Sequence, residues 1–353
     1  MKRIYISLLV LLPYVIHAQD PFFTQAYSNP LQLNPSFAGS MGCSRAVIND
    51  RYQWPNSTAY YKTTTVSYDR HVKALHGGLG FTYLRDQAGD AGYYQNPNND
   101  HYVYQAIYNT LQLGFIYSPT FIIKKKISIK PSIETGFFQK SVEWNKLTFD
   151  DMIDKRAGFV YNTSEMLNSN RINGFDFSSG LLINTTKWNC GIAIYHLTQP
   201  NEGFMVPSQL ARKTSAHASY TFSKSDSANF SFSPAIMFLK QGAYQSIMTS
   251  MNFNYKWLRF GIGMRSGGDK LLMAGFKLKR FTVNYSYDLP SSNLTNTGGS
   301  HEVSMACLFN YKKKIKITEQ VKDEQHPESI KEIKKTIIEP IKYNVIPLKP
   351  VAF

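Results

Sequence analysis

The stretch "FTVNYSYD", residues 281–288, alternates apolar and polar side chains without a break. Phe281, Val283, Tyr285 and Tyr287 fall on one face of an extended chain, and Thr282, Asn284, Ser286 and Asp288 on the other. Side chains of a strand alternate between faces, so this period of two gives one greasy side and one wet side. The same alternation sets Phe230, Phe232, Ile236 and Phe238 against Ser231 and Ser233. It sets Ile247, Met251, Phe253 and Tyr255 against Ser246, Ser250, Asn252 and Asn254, and it reaches a last strand through Val303, Met305, Cys307, Phe309 and Tyr311.

Working outward, strands are expected near 43–53, 60–71, 76–87, 101–118, 126–140, 172–185, 188–197, 211–223, 228–240, 243–256, 257–266, 269–278, 279–288 and 301–312. They are even in number, about fourteen, and of the roughly 9–11 residues or more that a tilted membrane strand needs. The connections sort by parity. "KALHG", "TTK", "YKW" and "KLKR" are tight, whereas "DQAGDAGYYQNPNN", "EWNKLTFDDMIDKRAGFVYNTSEMLNSN", "TQPNEGFMVPSQL" and "LPSSNLTNTGGS" are long and follow odd strands. Outer-membrane barrels have short periplasmic turns and longer outer loops. The expected fold is all-β: a transmembrane antiparallel β-barrel over 43–312, with both termini periplasmic.

Composition agrees. The chain holds 23 Tyr and 23 Phe but no apolar run of ~18 residues that would span a bilayer as a helix. Its three cysteines, Cys43, Cys190 and Cys307, are too few and odd in number for a disulfide framework. Cys43 shares the wet face with Arg45 and Cys307 the greasy face with Phe309, so no bridge between them is expected. The net charge of +15 would suit nucleic acid in a soluble protein. An export signal argues against that, and basic residues beside the phosphates of outer-membrane lipid or lipopolysaccharide are the simpler reading.

That signal is residues 1–18: basic Met1 to Arg3, apolar Ile4 to Ile16, and a small Ala18. Cleavage there leaves "QDPFFTQAYSNPLQLNPSFAGS" at 19–40 as the mature start. The prolines keep this lead-in, residues 19–42, from becoming a further strand. Phe22, Phe23, Tyr27 and Phe37 need burial, and the nearest place is the lumen mouth. A plug at the periplasmic end is therefore expected, with docking to a partner as the alternative. Residues 313–353 form a tail; counted from Lys312, the stretch to the end has ten Lys and six acids. It reads as a solvated periplasmic tail or a docking peptide.

Chemistry is sparse. Ser300 and His301 are adjacent on a strand, so they point apart and cannot pair as nucleophile and base. His196 has no second His or Cys at ligand spacing. Asp150, Asp151 and Asp154 lack the glycine and terminal Glu of a calcium loop. "GGLG" at 77–80 lacks the strand–loop–helix setting of a phosphate cradle. No cofactor and no metal is expected, and the protein reads as a non-enzyme. Arg45, Arg51, Arg70 and Arg85 fall in strands, where lipid exposure is costly, so they are expected to face the lumen and pair with acids.

"DPFFTQAYSNPLQLNPSFAGS" (20–40), "NDRYQWP" (49–55), "SYDRHV" (67–72), "LRDQAGDAG" (84–92), "YHLTQPN" (195–201) and "YSYDLPSSNLTNTGGSHEVSM" (285–305) together resemble the PorP/SprF family of Bacteroidota outer-membrane proteins. The resemblance implies an outer-membrane barrel of the type IX secretion and gliding machinery. Its partners would be a secreted adhesin-like surface protein with a type B sorting domain, and a periplasmic ring lipoprotein or peptidoglycan-binding protein. Under that reading the outer loops carry the partner contacts, through Trp54, Pro55, Asp86, Gly89, Gln199, Pro200, Gly298 and Gly299, while Phe22, Phe23, Tyr27, Phe37, Arg45 and Arg51 belong to the lumen and plug. The alternative is an outer-membrane transporter or porin for small or hydrophobic solutes.

Overall fold

A computed structural model describes residues 20–309, apart from 58–59, 96–101, 125, 148, 155, 160, 166–168, 225–228 and 292–294. The signal sequence, Gln19 and the tail from 313 lie outside the described residues.

Fourteen antiparallel strands close on themselves. They are β1 (Ser44–Gln53), β2 (Tyr61–Val72), β3 (Gly77–Gln95), β4 (Tyr102–Pro119), β5 (Ile127–Val142), β6 (Arg171–Asn184), β7 (Trp188–Tyr195), β8 (Lys213–Tyr220), β9 (Phe230–Gln241), β10 (Tyr244–Tyr255), β11 (Leu258–Arg265), β12 (Lys270–Leu278), β13 (Phe281–Leu289) and β14 (Ser300–Phe309). Each pairs with its chain neighbours, and β1 closes on β14 with Ser44 opposite Phe309 and Gln53 opposite Ser300. Closure removes the exposed edges that an open sheet would present. A short strand, Phe121–Ile123, adds to the edge of β5. A two-residue pair, Ile153–Asp154 with Gly158–Phe159, sits in the longest connection.

The alternation becomes a wall. Phe260, Ile262, Met264, Leu272, Phe281, Tyr285, Val303 and Met305 are exposed on the outside. Thr63, Thr65, Ser67, Ser250, Asn252, Asn284, Ser286 and Ser304 are buried inside. Trp188, Tyr220, Phe222, Phe232 and Phe253 form a run of ring contacts along the wall at the short-turn end. Aromatic rings at this height suit the headgroup boundary of a bilayer. Among the described residues no helix is long and apolar enough to cross a membrane.

Three expectations change. The connection expected after the third strand is largely strand: β3 runs on to Gln95 and pairs with β4 beyond the neighbouring strands, with a register shift between Asp90 and Tyr93. Its Gly, Asp and Asn residues read as a loop, yet two long strands can satisfy each other's backbone above the rim. Asp86 and Gly89 therefore lie in a strand. Arg70 and Arg85 face outward, because Asp69 and Leu84 take the inward positions beside them. Arg70 lies near the end of β2, and Arg85 stands opposite Thr64, close to the other end of β2. There a guanidinium can reach headgroups by extending its stem. Lastly, the lead-in is not confined to the short-turn end. Asp20 lies at the end that carries the long connections, and the segment crosses the lumen before it enters β1 at the short-turn end. Asp20 and Phe309 thus lie at opposite ends of the barrel.

Candidate functional site

The candidate site is the lumen and its occupant. Two Asn-Pro steps shape residues 20–43. Pro30 opens a single helical turn, Pro30–Leu33, and Pro35 opens a 3-10 turn, Pro35–Phe37. Proline suits the first helical position, since its fixed φ fits and its missing N–H has no helical partner. Asn34, extended at φ −161° as a residue before proline prefers, caps the second turn by accepting from Ser36 N at 2.9 Å. Two turns separated by an extended residue make a compact rod that a barrel can enclose.

At the long-connection end the rod is held by charge. Asp20 accepts from Lys213 Nζ at 2.7 Å and lies 2.7 Å from His196 Nε2, and its N–H donates to Gln241. His196 Nδ1 is 2.6 Å from Asp176, which also accepts from Thr198. Burial alone would raise the Asp20 pKa, but His196 and Lys213 hold it well below the usual carboxylate range. Burial alone would lower the pKa of His196, which lies just past β7. Asp20, together with hydrogen bonds to Asp176 and Asp20, raises it instead to about 9. A carboxylate on each ring nitrogen makes His196 an ion-pair hub and leaves it no free lone pair to act as a base.

Around the lumen, Arg51 donates to Asp288 at 2.8 Å and to Glu302 at 3.1 Å. Arg265 also reaches Asp288, and Asn49 donates to Glu302. The rod completes this cluster. Thr24 N and Gln25 N donate to the Glu302 carboxylate, and Gln25 bridges Ser286, Ser304 and the Glu302 carbonyl. Burying charge is tolerable when it is paired, and here two arginines, two carboxylates and two backbone N–H groups pair with one another, leaving only Nε of Arg51 and of Arg265 without a hydrogen-bond partner among the charged groups.

Lower in the lumen the contacts become apolar. Tyr27 meets His217 edge-on and Phe37 stacks on it. Leu31, Leu33, Phe37 and Ala38 pack with Ile116, Leu182, Met237 and Leu271 in one buried cluster. Full burial of each such Leu or Phe stabilises by about 1.5–3 kcal/mol. Asn34 donates to the carbonyls of Leu181 and Ile192, Ser36 pairs with Ser132, and Gly39 N donates to Asp69, which also holds Arg45 at 2.7 Å. Gly39, at φ +65°, passes so close to Gly78 that a Cβ on either would overlap backbone. Only glycine permits that approach.

Each residue singled out from the sequence now has a place. Phe23, Tyr27 and Phe37 are buried in the lumen, and Phe22 lies under the Arg265 guanidinium. Arg45 and Arg51 are buried and paired. At the rim, Trp54 N donates to Gly299 O, Pro55 touches the Gly298 position, and Gly89 N donates to Tyr60 O. With Asp86, which accepts from Thr63, these residues occupy one sector from β14 to β3. Gln199 and Pro200 belong to the separate connection between β7 and β8. His301 points outward to Tyr285 OH, while Ser300 is buried inside, so they do not meet. No cluster of metal-ligating side chains occurs among the described residues. Sequence reasoning missed Asp20 as the rod's anchor, and it missed Asp288 and Glu302 as the wall carboxylates that receive the rod. Their wet-face positions were visible, but their convergence was not.

A closed fourteen-stranded antiparallel barrel, greasy outside and filled by its own N-terminal segment, defines the class as an outer-membrane-type β-barrel. The chain belongs to the PorP/SprF family of type IX secretion system membrane proteins, whose model matches residues 15–307. Family and fold together support an outer-membrane location. Among solved structures, it is similar to the toluene transporter TbuX of Ralstonia pickettii (10% identity, TM-score 0.43, covering 79% of this chain and 91% of that one). It is also similar to the toluene transporter TodX of P. putida (12% identity, TM-score 0.41, covering 79% and 93%). A third is the Acinetobacter baumannii outer membrane protein Omp33 (7% identity, TM-score 0.41, covering 76% and 98%). No curated protein matches the chain.

Proposed function

We propose that the protein is a non-enzymatic assembly barrel of the type IX secretion machinery. It helps an adhesin-like secreted protein reach or stay on the cell surface, or ties the machine to the outer membrane. The long connections face outward, and the rim sector of Trp54, Pro55, Gly298 and Gly299 contacts the client. A periplasmic ring lipoprotein or peptidoglycan-binding protein meets the short-turn end.

The observation that carries this reading is the filled lumen. Residues 20–42 are bonded to the wall from one end to the other, so the barrel presents two rims rather than a path for solute. Deleting the gene and restoring it with the wild-type or a Trp54→Ala, Gly299→Val form tests it. Surface levels of type IX-secreted proteins are expected to fall on deletion, to recover with wild type and to stay low with the rim variant. Unchanged surface levels in the deletion strain would reject the reading.

A further inference from the structure

The buried cations of the lumen are not treated alike. Arg45, Arg51, Lys140 and Lys213 each meet a carboxylate, as does the half-buried Arg265, and Lys130, which meets none, donates to Ser118 O and Thr120 Oγ1. Arg259 is different. It is only 6% exposed, its Nε donates to Asn254 Oδ1 at 3.1 Å, and among the described residues no carboxylate forms an ion pair with it. Its terminal nitrogens have no hydrogen-bond partner among those residues. Arg259 stands opposite Gly275, and among the described residues Lys277, two positions further along the same face of β12, forms no ion pair either. Diagonal neighbours on a sheet are about 7–8 Å apart, so two like charges share one corner of the lumen. A buried guanidinium without a counter-charge is strongly disfavoured, so this corner calls for an anion.

The geometry points to a carboxylate site at the short-turn mouth, formed by Arg259 and Lys277 and filled by the acidic stretch of this chain's own tail around Glu319, Asp323 and Glu324. Position and charge choose that occupant. Leu308 N donates to Arg280 O, so β14 ends beside the turn that follows Lys277. From Phe309, residue 319 is ten positions on, a reach of up to about 33–36 Å when extended. The first tail residues, Lys312 to Lys316, are basic, and the acids begin only after them.

The test uses the full-length protein in outer membranes. A zero-length carbodiimide couples an amine only to a carboxylate it touches. The expected product joins Lys277 to Glu319, Asp323 or Glu324. Cleavage after Lys322 by a lysine-specific protease is expected to speed up about tenfold or more when the docked segment is released. That should hold in an Arg259→Gln, Lys277→Gln protein and equally in a Glu319→Gln, Asp323→Asn, Glu324→Gln protein, whose barrel is untouched. Unchanged cleavage in the tail variant would overturn the proposal. So would Lys277 coupled only to another protein, or a phospholipid phosphate retained at Arg259 with the tail uncoupled.

Discussion

Thr24 and Asp288 lie 264 positions apart, yet the Thr24 hydroxyl is within 2.7 Å of both Asp288 carboxylate oxygens. Arg51 and Arg265 converge on the same carboxylate. The start of the described chain is thereby fixed to the far end of the barrel from the point where it enters β1. The lead-in completes an ion network that β1, β13 and β14 leave open.

Arg51 is the residue on which that network turns. Arg51→Met leaves Glu302 without a cationic partner in the lumen, and removing one partner of a buried pair costs about 3–5 kcal/mol. The variant is expected to lose its folded, heat-modifiable form on cold gels at markedly lower temperature or urea than wild type. Arg51→Lys should recover only part of the loss, because an ammonium cannot reach both carboxylates in the forked geometry of a guanidinium.

The long-connection end should loosen in alkali. The pKa of His196 is raised from 6.5 to about 9 in the folded protein. A raised pKa contributes stability that is fully present below 6.5 and lost as pH climbs through about 9. Asp20 is held low and stays ionised throughout that window. Hydrogen exchange of residues 20–25 is expected to accelerate between about pH 7 and 10. In His196→Gln the exchange, corrected for intrinsic rate, should be fast at both ends and lack this step.

The glycine crossing offers a way to push the rod out. A side chain on Gly78 would overlap the Ala38 carbonyl, so Gly78→Val cannot coexist with the seated segment. The barrel wall itself tolerates a β-branched residue. The expected result is a folded barrel whose residues 30–40 become open to protease, whereas wild type stays resistant there. Equal resistance in both proteins would mean the segment does not pass Gly78 as described.

Much of this architecture was legible because alternation is a local signal. Strand ends such as Tyr255 and Leu278 follow from where the period of two stops and a tight turn begins. The rim was harder. Gly89 and Asp90 look like loop residues, yet a hairpin of two long strands carries them in β3. Arg70 and Arg85 show why residue type alone misleads: parity, set by Asp69 and Leu84, decides the face. The aromatics and prolines of 19–40 announced a segment that needs burial and cannot be a strand. They did not announce its path, because Asp20 with His196 and Thr24 with Asp288 are pairings that no local pattern encodes.

Single-channel recording of the purified protein in planar bilayers distinguishes a plugged barrel from an open one. If residues 20–42 close the barrel, wild type shows no steady conductance at moderate voltage, and a protein lacking residues 20–38 shows a stable open pore. A steady ohmic pore in the wild-type protein, unchanged by that deletion, would contradict the account.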